Sequence, residues 1–108
     1  MKSLNVTILS GHIGNIETNE EKEVLSFSLA VTYEKKENGE KTKSTDWVRC
    51  VGFGSKVKLA NYLKKGQFIQ VRGRLKTNVY QKDGEETKRK DMFVVIEDVI
   101  FVPTGSNS

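Results

Sequence analysis

The 108-residue chain is the size of one domain, and with 36% hydrophobic and 30% charged residues it can build one small core but no membrane span of roughly 18 to 20 apolar residues. Its single cysteine, Cys50, excludes an intrachain disulfide, and its single histidine, His12, excludes an ordinary Cys/His zinc site and any Ser-His-Asp or Cys-His nucleophile system not built on it. The net charge of +4 is mildly basic and suggests a polyanionic partner.

The opening, Met1-Lys2-Ser3-Leu4-Asn5-Val6, lacks the apolar stretch of a secretory signal. Together with the lone thiol, this fits a cytoplasmic protein. Residues 4–10 alternate, with Leu4, Val6 and Ile8 on one side and Asn5 and Thr7 on the other, which predicts a first strand. Residues 24–33 alternate more cleanly, with Leu25, Phe27, Leu29, Val31 and Tyr33 at odd positions. Residues 34–45 are wholly polar around Asn38-Gly39, a pair that accepts positive φ, and read as a long hairpin tip. A third strand follows at 45–53.

A short helix comes next. Ser55 can cap it, Val57, Leu59, Ala60 and Leu63 form its apolar face, and Gly66 stops it after Lys64 and Lys65. Residues 67–80 form a fourth strand with Ile69, Val71, Gly73, Leu75, Thr77 and Val79 on one face. Asp83-Gly84 marks a turn in the polar segment 81–91, and residues 92–102 form a last strand ending at Pro103. Five strands with one short helix between the third and fourth make an all-β chain, patterned as the five-stranded Greek-key barrel of an OB-fold. Residues 1–103 would be that domain, and residues 104–108 a short mobile tail.

The third strand carries Thr45, Trp47, Arg49, Val51 and Phe53 at odd positions. Turning Trp47 and Phe53 into the core would bury Arg49 with them, and an unpaired buried arginine is costly. The alternative is that Trp47, Arg49 and Phe53 face solvent. On the fourth strand, if Ile69, Val71, Leu75 and Val79 are core, then Arg72, Arg74, Lys76 and Tyr80 share the outer face. Aromatic rings interleaved with cations suit a flat anionic ligand, and single-stranded nucleic acid is one: bases stack on rings while cations follow phosphates. Each residue also has an ordinary explanation, with Trp47 and Phe53 as core and Arg72 and Arg74 solvated or paired with Glu97 and Asp98. Tyr33 shares the parity of the core residues and joins such a site only if its strand bends or bulges. The charge distribution supports the binding reading, because residues 47–82 hold nine basic residues and no acid.

The opening through Gly11-His12-Ile13-Gly14 resembles that of bacterial and phage single-stranded DNA-binding proteins. So do Phe27-Ser28-Leu29-Ala30-Val31, the stretch Thr45-Asp46-Trp47-Val48-Arg49-Cys50-Val51-Gly52-Phe53-Gly54, and Ala60-Asn61-Tyr62-Leu63-Lys64-Lys65-Gly66 followed by Val71-Arg72-Gly73-Arg74-Leu75-Lys76-Thr77. The resemblance spans about residues 1–102. It implies an OB-fold, sequence-tolerant binding of single-stranded DNA in replication, recombination and repair, and a homotetramer, with a homodimer next. By position it implies Trp47, Phe53 and Tyr80 as stacking aromatics and Arg49, Arg72, Arg74 and Lys76 as groove cations, with Tyr33 the nearest counterpart of a fourth aromatic. The family's common form ends in an acidic tip that recruits replication and repair proteins. This sequence stops at Ser108 without one, as in a short phage or plasmid form or a truncated bacterial one.

Two other classes of function compete with this reading. In one, the aromatic face docks a protein, as in a primosome-type OB-fold module. In the other the chain is an enzyme, and Glu97-Asp98 is the only adjacent acid pair near a strand. Neighbours on a strand alternate to opposite faces, so these two would not share an ion, and no enzyme, metal or cofactor is expected.

Overall fold

The alternating segments do form strands. The structure, a computed structural model, describes residues 2–80, 83–84, 86–87 and 89–102, with Tyr80 and Arg89 described by their backbone alone. The strands are β1 (Thr7–Asn19), β2 (Val24–Glu37), β3 (Glu40–Phe53), β4 (Phe68–Tyr80) and β5 (Arg89–Phe101), and a 3-10 helix (Gly54–Asn61) sits between β3 and β4. They close into a barrel in the order β1-β2-β3-β5-β4. Neighbours are antiparallel except β3 and β5, which meet in parallel at Cys50↔Val94 and Val51↔Val95. This is the expected OB-fold arrangement. The tail at 104–108 lies outside the described residues.

The period-2 pattern fills the barrel. Leu25, Phe27 and Leu29 from β2, Cys50 from β3, Ile69 and Val71 from β4, and Val94 and Ile96 from β5 form one core, with Ile13 from β1 and Leu63 joining it. A register slip of one residue would turn each of these rows to solvent, so the pattern fixes the pairing. Burial pushes the Cys50 thiol from its ordinary 9.0 up to about 12. At neutral pH it stays protonated and packs as a small hydrophobe.

Several sequence expectations are corrected. β1 starts at Thr7, not residue 4, and turns Leu9, Gly11 and Ile13 toward the core, leaving Leu4, Val6 and Ile8 outside. Ile8 and Leu9 are both apolar, so the longer inward row decides the parity. Gly11 is part of that decision, because a Cβ there would run into the Ala30 carbonyl. The long polar tip at 34–45 is instead two paired strands joined by the two-residue turn Asn38-Gly39, with φ of 51° and 81°. Those angles are the I′ geometry that matches strand twist.

The helix is of the 3-10 type. Phe53 rather than Ser55 stands at its N-cap, with no side-chain cap, and Leu63 is buried beyond its end. Leu75 and Val79 on β4 are exposed rather than core. There β4 and β5 pair with each other beyond the last β1–β4 pair, Thr7↔Gly73. The Asn5 side chain lengthens that ladder, since its Nδ2 donates to the Leu75 carbonyl at 2.8 Å and its Oδ1 accepts from the Leu75 N–H at 3.1 Å.

Candidate nucleic-acid interface

β3 delivers the exposed aromatics through its odd positions. Trp47 is 65% exposed and Phe53 49% exposed, six residues apart on the same outward row, and the Arg49 side chain between them is also exposed. Val51, on that same row, is instead buried where β3 meets β5. The Trp47 ring leans across β1, where a bulge leaves Gly14 and Asn15 opposite Ser28. A Cβ on Gly14 would lie 2.9 Å from Trp47 Cζ3, so only glycine lets the ring settle there. Gly14, Asn15, Ser28, Trp47 and Lys65 line one shallow hollow, which puts a lysine in the same hollow as the indole.

β5 joins the two rows that the sequence placed on separate strands. Its outward residue Phe93 pairs across β4 with Lys76, and Val95 pairs with Arg74. On the other side Arg49 reaches from β3 over Phe93, its guanidinium carbon 5.7 Å from the ring centroid. Trp47, Arg49, Phe93, Lys76 and Arg74 therefore follow one another across β3, β5 and β4. Arg72 stands further round, paired with Ile8 on β1. Tyr80 ends β4 opposite Arg89, and its side chain lies outside the described residues. Tyr33 pairs with Ser44 in an unbroken register, so the bulge that would have brought it round is missing and it stays on the side opposite Trp47.

The arginines are partnered. Arg49 Nη1 lies 3.1 Å from Asp91 Oδ2, Arg74 Nε 3.6 Å from Glu97 Oε1, and Arg72 Nη1 3.8 Å from Asp98 Oδ2. All three pairs are solvent-exposed, where such contacts contribute about 0–1 kcal/mol and yield readily to another anion. Glu97 and Asp98 do not alternate as expected. A β-bulge opposite Arg72 and Gly73 inserts Glu97 as an extra residue, and both carboxylates reach arginines on the outer side of β4.

The sequence reading missed two sets of residues. Lys41 and Lys43 continue the row of Thr45 and Trp47 up the β2–β3 hairpin, and Lys36 pairs with Lys41; reading 34–45 as a tip hid their shared face. Phe93 was hidden in a run apolar at both parities. A more spacious hollow lies elsewhere, between the β1–β2 turn and the 3-10 helix. It is lined by Glu20 and Glu23 as well as Lys58, which makes it a poor match for an anionic ligand. Among the described residues, no three His, Cys, Asp or Glu side chains gather to hold a metal ion, and no helix is long and apolar enough to cross a membrane.

Comparison with known proteins agrees with this geometry. The mitochondrial single-stranded DNA-binding protein of Drosophila melanogaster is 30% identical over 112 residues, which cover 98% of this chain and 76% of that protein. Single-stranded DNA-binding protein 3 of Clostridium acetobutylicum is 37% identical over 87 residues, covering 79% of this chain and 58% of that one. The chain thus spans between 58% and 76% of these curated relatives. A Plasmodium falciparum single-strand binding protein solved in complex with single-stranded DNA superposes with a TM-score of 0.80 at 28% identity, over 94% of this chain and 97% of that one. Residues 4–102 match the Single-strand binding protein family along nearly the whole barrel, and the chain belongs to that family.

Proposed function

We propose that the chain binds single-stranded DNA without strong sequence preference, through the face made by β3, β5 and β4, and protects unpaired strands during replication, recombination and repair. The observation that carries this is Trp47, 65% exposed, with Arg49 two residues along its row and Lys65 lining the same hollow. A solvent-facing indole among cations offers stacking to bases that are not already stacked in a duplex, while the cations take phosphates. The role is binding without a catalytic step. A cytoplasmic site of action fits the lone unpaired thiol.

The test is a titration of labelled oligo-dT and of a duplex of equal length, in moderate salt. Oligo-dT should bind far more tightly and quench Trp47 emission. Affinity should fall with salt by a log–log slope of about 0.7 for each phosphate contact. Equal affinity for the two forms would defeat the proposal, and a protein-docking face would then be the better reading.

The barrel acts as a homo-oligomer, a tetramer first and a dimer next. Leu4, Val6 and Ile8 are 88%, 50% and 58% exposed. Beside them β1 pairs β4 from Thr7 but pairs β2 only from His12, and Gly11 already abuts the Ala30 carbonyl, so residues 7–10 present one strand edge with no strand partner among the described residues. An open apolar edge invites a second copy across a twofold. Ile13, Val94 and Ile96 are core and add no contact surface, whereas Ile100 on β5 is 48% exposed. Sedimentation equilibrium at micromolar concentration should give several times 12.2 kDa; a single-chain mass unchanged by DNA would remove the assembly.

A further inference from the structure

We infer that Phe93 is a further base-stacking position, on β5, covered in the free protein by Arg49. The inference rests on the single-stranded DNA reading above and adds to it a nucleobase site that neither the third nor the fourth strand supplies.

The placement follows from parity. Val94 and Ile96 are core residues, so Phe93 and Val95 point outward. An outward phenyl ring needs cover, and here the cover is cationic on both flanks. Lys76 is its cross-strand partner on β4, and the Arg49 guanidinium lies over it from β3, 5.7 Å from the centroid. Arg49 is held there by Asp91, two residues before Phe93 on the same row of β5, at 3.1 Å. Cations attract the face of a ring, and both side chains carry apolar stems able to cover it.

The same two cations are those a phosphate backbone would draw on as it crosses from Trp47 toward Arg74. A phosphate takes the place of the Asp91 carboxylate, and the guanidinium swings to the strand. The ring face it uncovers then lies between two phosphate-holding groups, which is where a base would sit. No bond is made or broken, and the exchange is of one exposed ion pair for another.

Two variants test this, with binding followed by anisotropy of labelled oligo-dT. Phe93→Leu keeps an apolar side chain of similar bulk and removes the ring. Affinity should fall roughly 5- to 150-fold, the range for losing one stacked base, with the salt slope and thermal midpoint unchanged. An affinity within twofold of the parent overturns the inference. The double variant Trp47→Phe with Phe93→Trp carries its only indole at position 93, and oligo-dT should quench it. Binding with a silent indole overturns this inference alone. Failure of the parent protein to bind oligo-dT overturns both it and the proposed function.

Discussion

Gly73→Ala is expected to lower stability by about 3 kcal/mol, the upper end of the usual overpacking cost. In a domain of this size that is a fall of roughly 12–24 °C in thermal midpoint. Gly73 is buried on β4, paired with Ile96 beside the bulge. A Cβ built there runs into the Val95 carbonyl oxygen and stands 2.9 Å from its carbon. The obstacle is backbone, and Val95 is held from two sides, by Arg74 on β4 and Val51 on β3. Neither strand can step back without opening the other pairing. Circular-dichroism melts of parent and variant at one fixed concentration measure it, and a shift of under 3 °C or so would mean that the bulge gives way more easily than its pairing suggests.

Trp47→Ala and Arg49→Ala should both weaken oligo-dT binding, and by different physics. Without Trp47 a base loses its platform, so affinity should drop roughly 5- to 150-fold while the salt slope stays as it was. Without Arg49 about one phosphate contact is lost, and the slope should shrink by about 0.7. Asp91 also loses its 3.1 Å partner in that variant and is left as an uncompensated anion on the face. Titrations at four or five salt concentrations separate the two; identical slope changes would show that the roles are misassigned.

The parts of this molecule that could be read from sequence are those where one parity is apolar and the other is not. β2 is the clearest case, with Leu25, Phe27 and Leu29 inward and Ser26 and Ser28 between them. The outward turn of Trp47 and Arg49 followed from the cost of burying a guanidinium, and the Asn38-Gly39 turn from its backbone preference. Where both parities are apolar the pattern is silent. Ile8-Leu9 left β1 in the wrong register, and Phe93-Val94-Val95-Ile96 concealed which ring faces out. The Glu97 bulge carries no signal in the sequence, yet it turns two neighbouring acids to the same side.

The β3–β5 pairing has a kinetic consequence. β2 with β3 and β4 with β5 are hairpins whose partners lie close along the chain, so each can form on its own at small entropic cost. Cys50↔Val94 and Val51↔Val95 bring together residues 44 positions apart through two residue pairs. Contacts that are distant in sequence and few in number are the slow ones, formed late and opened early. Trp47 and Arg49 stand on one side of this seam and Phe93 and Lys76 on the other. Joining the two hairpins through this seam and creating the ligand face are therefore a single event, and a chain with both hairpins formed but the seam open would carry most of its β-structure and no continuous track.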